Sequence, residues 1–297
     1  MIFTKKDRKK ALLMVTPSIL VVVVFIYGFI AWSFRVSLSA WDGIKSDFTL
    51  VWLDNYIELF KNTRFQIDLL NTFFFTIFFI VSCVFFGFFL AYLINKNIKG
   101  EGFFRTVYMF PLALSFVVTG VLWRWMLNPT VGINSLFQMM GFENVSFGWY
   151  TNTDSMGGFN FALLSIILAA TWQYMGYTMA MFLAGLRGIP VQLIESAQIE
   201  GAGEFTIIKA IIIPSIKPII LSAMIVLGHI SLKIFDLVYA MTGSGPAFVT
   251  DFPGLFMFET TFRGNHYAEG AAISIIMLIM VAFVIVPYLY STFKKED

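Results

Sequence analysis

The sequence predicts an all-α membrane protein, a polytopic bundle of six transmembrane helices with both chain ends on one side. Three observations predict it. Of the 297 residues 58% are hydrophobic and only 13% are charged, whereas ordinary globular chains are about a quarter charged. The apolar residues gather into six runs, near 11–34, 69–94, 106–127, 161–186, 218–240 and 268–292, and about 20 residues at 1.5 Å each cross the hydrocarbon of a bilayer. The cations lie mostly between these runs and favour alternate connections. Nothing in the chain shows the short alternating polarity of membrane β-strands.

Taken in order, the tail 1–10 holds Lys5, Lys6, Arg8, Lys9 and Lys10 against Asp7 and is expected in the cytoplasm. The charge-free run 11–34 exceeds the roughly 7 to 15 residues of a signal-peptide core, so it reads as an uncleaved anchor. Residues 35–68 mix Asp42, Asp47, Asp54, Glu58 and Asp68 with Arg35, Lys45, Lys61 and Arg64. They form an outer loop, with a short amphipathic helix expected over 54–60. The second span closes in a basic turn with Lys96, Lys99 and Arg105. The third ends in Trp123-Arg124-Trp125, interface aromatics around a cation that snorkels to headgroups. Residues 128–160 contain no Lys or Arg and are punctuated by Pro129, Gly157 and Gly158, which suits a translocated loop. The fourth span returns inside and the fifth leads out to a connection at 241–267. The sixth ends in a short tail, 293–297, with Lys294 and Lys295.

The orientation follows from the cations. Thirteen of the twenty fall in the segments placed inside and five in those placed outside, with Arg124 and Lys233 inside spans. The positive-inside rule then puts both termini in the cytoplasm.

Several functions are excluded by what is scarce. One cysteine, Cys83, and two histidines, His229 and His266, leave no metal cluster of familiar spacing and no disulfide framework. No basic face suggests nucleic acid. No G-x-x-x-x-G-K-[ST] segment is present to cradle nucleotide phosphates, so no cofactor is expected on this chain.

The connection 187–217 is the most ordered polar stretch. Pro190 suits a helix start, Val191 to Glu200 would form about three turns, and Gly201 and Gly203 let the chain turn. A second short helix from Phe205 is expected to stop at Pro214. Glu195, Glu200 and Glu204 should face water, because burying unpaired carboxylates is costly, and a partner's arginine is a natural reader of such a surface.

Within the spans the polar residues are few. Gln173 falls near the middle of the fourth, with Tyr177 on its face at i+4 and Tyr174 alongside. His229 falls near the middle of the fifth, with Lys233 and Asp236 continuing its face. Polar and aromatic side chains set at similar depth make these six candidates for a substrate path. Each also has a plain structural reading. Gln173, Tyr174, Tyr177 and His229 would serve as hydrogen bonds between helices, and Lys233 and Asp236 would neutralise each other.

Glu195-Ser196-Ala197, Glu200-Gly201-Ala202-Gly203, Phe205 and Ile213-Pro214 resemble the EAA loop of permease subunits of binding-protein-dependent ABC importers, in the carbohydrate (maltose and glycerol-3-phosphate) branch. The resemblance extends to Leu53-Asp54-Asn55-Tyr56, Asn71-Thr72, Arg105 with Pro111, and Phe235-Asp236 followed by Met241-Thr242-Gly243-Ser244-Gly245-Pro246. Ser196, Glu200 and Ser244 depart mildly from the usual alanine, aspartate and glycine. The resemblance implies a type I importer permease fold in one domain, 11–292, whose coupling helix docks on an ATPase. Glu195, Ala197, Glu200, Gly201, Gly203 and Pro214 would carry the coupling. It implies as partners a second homologous permease, two ATP-binding subunits that hold ATP and Mg, and an extracytoplasmic sugar-binding protein. The location would be the cytoplasmic membrane of a bacterium or archaeon. The segment 242–271 suggests a glucose-like monosaccharide or a short oligosaccharide as cargo. Two alternatives are a secondary transporter without an ATPase, which should show repeated halves that are not evident, and an intramembrane protease using Ser244 with a histidine.

Overall fold

The first apolar run forms α1 (Lys5–Val22), which passes through one π turn at Val23–Tyr27 into α2 (Gly28–Ser37). The computed structural model describes residues 5–96, 98–141 and 147–293; the tail cations Lys294 and Lys295 lie outside them. After a loop come α3 (Asp54–Lys61) and α4 (Thr63–Asn95). The helix expected over 54–60 is α3, and α4, about 50 Å long at 1.5 Å per residue, starts six residues before the expected span. There follow α5 (Glu101–Met109), α6 (Phe116–Met126), α7 (Ile133–Met139), α8 (Leu163–Arg187), α9 (Val191–Ile199), α10 (Glu204–Ile207) and α11 (Ile213–Leu232). The last are α12 (Asp236–Met241), α13 (Pro253–Phe258) and α14 (Tyr267–Phe293). The only described strands are two-residue partners in one small hairpin, Ser155–Met156 with Phe159–Asn160. The protein is an all-α polytopic bundle. Five described helices are long and apolar enough to cross a membrane, or six if the bent pair α5 and α6 makes one span.

That bent pair corrects the expectation of one helix over 106–127. Pro111 lies in a short 3-10 turn, Phe110–Ala113, where it lacks the N–H a helix needs and its ring crowds the preceding turn. Leu114 is then extended, Ser115 caps α6 by accepting the Val118 N–H at 3.3 Å, and the axes on either side meet at 101°.

A second correction concerns 205–240. The helix expected to stop at Pro214 runs on, so that Glu204–Leu232 is one apolar rod. A π turn at Ile208–Ile212 ends two residues before Pro214, and its wider coil makes room for a ring that a regular α turn would crowd. The break comes later, at Lys233 and Phe235, both with non-helical backbone, before α12 restarts. Neither proline nor glycine marks that place.

The chain divides into two compact units. One comprises the residues up to Asn62 with Phe256–Ile279, the other Thr63–Leu255 with the remainder from Met280. In the first, Asn55 donates to Ser37 O and Ser39 O at 2.8 and 2.9 Å, and the Tyr56 and Ser37 hydroxyls meet at 2.6 Å. The Leu53-Asp54-Asn55-Tyr56 motif thereby ties α3 to the end of α2. His266 Nδ1 meets Asp42 Oδ1 at 2.5 Å, and the Ala268 N–H donates to Trp41 O. The α1–α2 rod is different, since nearly every side chain from Leu12 to Phe34 is exposed.

In the second unit α4 and α8 are the closest pair. Gly87 lies against Thr178, whose hydroxyl donates to Cys83 O at 2.8 Å. Apolar side chains form two clusters along this pair. One, toward the start of α4, holds Phe75, Phe79, Trp123, Ile166, Leu237 and Phe252; the other, toward its end, holds Ile94, Met179, Phe182, Leu186, Ile207 and Ile216. At the start of α4 the loop after α12 folds back on it. Arg64 Nε pairs with the fully buried Asp251 at 2.5 Å, and Asn71 donates to Phe248 O and Asp251 O at 3.1 and 2.9 Å. Asn71 also accepts Asn160 Nδ2 at 2.8 Å.

Candidate coupling hairpin and the polar residues of the spans

The connection 187–217 forms a helical hairpin at the end of α4 opposite to Arg64. Pro190 is the N-cap of α9, where its missing N–H costs nothing. The helix ends in a Schellman arrangement, with the Gly201 N–H on Gln198 O at 3.0 Å and the Ala202 N–H on Ala197 O at 2.9 Å. Gly201 has φ +84°, the left-handed region that favours glycine. Gly203 has φ −69° and caps α10, so its backbone makes no such demand.

The hairpin is seated on one side only. Ile194, Ala197 and Ala202 pack on the cluster around Ile207 and Phe182. Glu195, Glu200, Gly201 and Gly203 are exposed, as are Ile199, at 88%, and Phe205, at 77%. Among the described residues neither Glu195 nor Glu200 has a cationic partner. Glu204 does, because Lys96 at the end of α4 pairs with it and Tyr92 donates to it at 2.5 Å, while the Lys96 ammonium lies 4.9 Å from the Tyr92 ring centre. These residues border a cleft of about 440 Å³ between the end of α4 and the hairpin. On the other flank Arg187, at the end of α8, pairs with Glu101 at 2.5 Å. Pro214 lies exposed inside the Glu204–Leu232 rod rather than at its end.

The intramembrane candidates divide. Gln173 is buried and its Nε2 donates to Leu114 O at 2.8 Å, at the break between α5 and α6, while its Oε1 has no partner. Tyr174 stacks on Phe116 at 5.6 Å between ring centres and meets Phe79 edge-on at 6.0 Å. Tyr177, one turn beyond Gln173, is half-buried. His229 is half-buried and its Nδ1, enclosed, has no hydrogen-bond partner. Lys233 and Asp236 do not continue its face, since α11 ends at Leu232 and the irregular backbone redirects both into exposed positions without an ion pair between them. The Ser244 hydroxyl accepts from Arg64 Nη2 at 3.5 Å.

Sequence reasoning missed two features that shape this region. The break at Leu114 is visible in retrospect as Pro111 followed four residues later by a capping serine, the signal of a helix that stops and restarts. The close approach of α8 to α5, where a Cβ on Gly176 would meet Tyr108 O at 2.0 Å, has a weaker signal, a lone glycine within an apolar helix.

The family model for binding-protein-dependent transport system inner membrane components matches residues 83–295. A probable ABC transporter permease of Pyrococcus horikoshii is 36% identical over 98% of this chain and 98% of its own. A xylose/arabinose import permease of Haloferax volcanii is 35% identical over 91% and 84%, and a trehalose/maltose transport system permease of Thermococcus litoralis 29% over 98% and 96%. Among solved structures, a bacterial ABC transporter involved in the import of the acidic polysaccharide alginate superposes with a TM-score of 0.77 at 21% identity, over 94% of this chain and 96% of that one.

Proposed function

Because this chain belongs to the family of binding-protein-dependent transport system inner membrane components, we propose that it is one permease subunit of an ATP-driven sugar importer. Its cargo is a glucose-like monosaccharide or a short oligosaccharide, a class that the names of the Haloferax and Thermococcus relatives support. Family membership speaks against the alternative of a secondary transporter.

The observation that carries the reading is the hairpin over 191–203, closed by Gly201, apolar and acidic on its free face, and continuous through α10 with the Glu204–Leu232 rod. A pair of ATP-binding subunits would grip Ile199 and Phe205 and answer Glu195 and Glu200 with arginine. ATP and magnesium would be bound and used there, not on this chain. Closure of the ATPases would pull the hairpin, and the unbroken rod would pass that displacement into the membrane. The permease would then alternate between inward-open and outward-open states as an extracytoplasmic sugar-binding protein delivers cargo to the far side.

The exposed apolar side chains of the α1–α2 rod from Leu12 to Phe34 support a second, homologous permease as a further partner. The excess of cations in the connections assigned to the inside supports both termini in the cytoplasm of a bacterium or archaeon. Tyr174, Tyr177 and His229 remain the candidates for a substrate path, while Gln173 is engaged with Leu114 O and the exposed Lys233 and Asp236 flank the break beyond them.

Affinity purification of the tagged chain from mild detergent, with mass spectrometry and an ATPase assay, tests the coupling. A nucleotide-binding subunit in the eluate and loss of sugar uptake in Gly201→Asp at normal membrane insertion are expected. Undiminished uptake by that variant with no ATPase attached would reject the reading.

A further inference from the structure

Helix α7 is fixed on one face and bare on the other. The fully buried Asn134 donates to Pro129 O and Phe147 O, both at 2.9 Å, and accepts Trp149 Nε1 at 2.9 Å. Ile133 and Trp149 pack on the cluster around Trp123. Gly132, the N-cap of α7, lies so near the end of α6 that a Cβ there would meet Met126 O at 2.2 Å. The helix therefore cannot leave the end of α6. Its other face presents Leu136, Met139 and Met140 to the surroundings, and Val131, before the helix, and Trp125, in the last turn of α6, are exposed as well; Met139 is 84% exposed and Trp125 73%.

We propose that α7 lies in the membrane–water interface, with Leu136, Met139, Met140 and Trp125 in lipid, as an anchor that fixes the depth at which α6 ends. Continuity is the first argument. The helix to whose end α7 is tied carries a bare apolar face of its own, Val117, Val121 and Trp125 at i, i+4 spacing with Val118 beside them, on a membrane-spanning chain. Charge is the second. From Trp125 to Gly141 there is no Asp, Glu, Lys or Arg, so the strip offers a soluble protein no ion pair, while an uncharged apolar face with a tryptophan at its edge matches the belt where ring and headgroup meet. Length is the third, because seven residues rise only about 10 Å, far short of the roughly 30 Å of hydrocarbon, so α7 cannot be a span of its own. An apolar patch of this kind facing water would instead be an association hazard.

The test is site-directed spin labelling of the full chain in nanodiscs of phosphatidylethanolamine and phosphatidylglycerol. Nitroxides are placed by Met139→Cys and, in parallel, Met140→Cys, so that poor insertion of one variant leaves the other. Phe85→Cys, on the exposed apolar face of α4, is the lipid reference, and Ile44→Cys, 91% exposed in the loop after α2, is the aqueous one. The parent, whose single cysteine Cys83 is buried, is the blank. Labels at 139 and 140 are expected to show an oxygen-to-nickel-chelate accessibility ratio several-fold above that at 44 and at or below that at 85, as for the outer part of the lipid. A ratio like that at 44 would overturn the proposal. So would low accessibility to both reagents, which would assign the face to a protein neighbour.

Discussion

Gln173 Nε2 donates to Leu114 O at 2.8 Å, and through that bond α8 holds the carbonyl that the break between α5 and α6 leaves without a helical partner. In Gln173→Leu the part-buried carbonyl loses its partner, a loss of about 1 kcal/mol. A fall in melting temperature in detergent is expected for the variant, with a near-normal KM for uptake in the molecules that fold. A normal melting temperature with a KM raised tenfold would move Gln173 from fold to cargo.

Gly201 and Gly203 stand two residues apart in the same turn, yet only Gly201 has a positive φ, +84°. Any L-residue there carries about 1 to 2 kcal/mol of backbone strain and loosens the Schellman closure that sets the angle between α9 and α10. A Cβ on Gly203 would meet nothing within 4 Å. Gly201→Ala should therefore cut uptake several-fold at normal membrane abundance, whereas Gly203→Ala should leave uptake near the parent level. Equal effects of the two substitutions would dissociate uptake from the backbone geometry of the turn.

What was legible in the sequence follows physical scale. A run of apolar residues is read from composition because every residue contributes to it, and the spanning helices lie where those runs lie. The hairpin was legible for a similar reason, since Pro190, Gly201 and the three glutamates act locally. Breaks inside apolar runs were not. At 233–235 the side chains Lys233, Ile234 and Phe235 carry no helix-breaking signal of their own, and Pro214, which does, sits in an unbroken rod because the π turn before it gives the ring room. Partners remote in the chain were hidden as well. Nothing local says that Arg64 will meet Asp251, 187 residues later.

The approach of α8 to α5 depends on Gly176, where an added Cβ would lie 2.0 Å from Tyr108 O. A backbone carbonyl cannot turn aside as a flexible side chain can, so Gly176→Ala must push the two helices apart, at about 1 to 3 kcal/mol. Gly102, on α5, has nothing within 4 Å of its added Cβ. Thermal melts should separate Gly176→Ala from the parent by several degrees and leave Gly102→Ala within about a degree. A neutral Gly176→Ala would mean that α5 is free to shift relative to α8.

The pair Arg64 and Asp251 closes the loop after α12 onto the first turn of α4, with Asp251 fully buried, its Oδ1 accepting the Phe252 N–H at 2.9 Å, and the guanidinium 4.7 Å from the Phe248 ring centre. Removing one partner of a buried pair leaves the other charged and without compensation, typically about 3 to 5 kcal/mol, whereas removing both is far milder. Arg64→Met alone should therefore lower the melting temperature more than Asp251→Asn alone, because only the first leaves a fully buried carboxylate without its guanidinium. The double variant should recover part of the loss. Additive losses in the double variant would mean that the stability at this corner comes from the packing of Phe248 and Phe252 and the Asn71 bonds, with the ion pair contributing little.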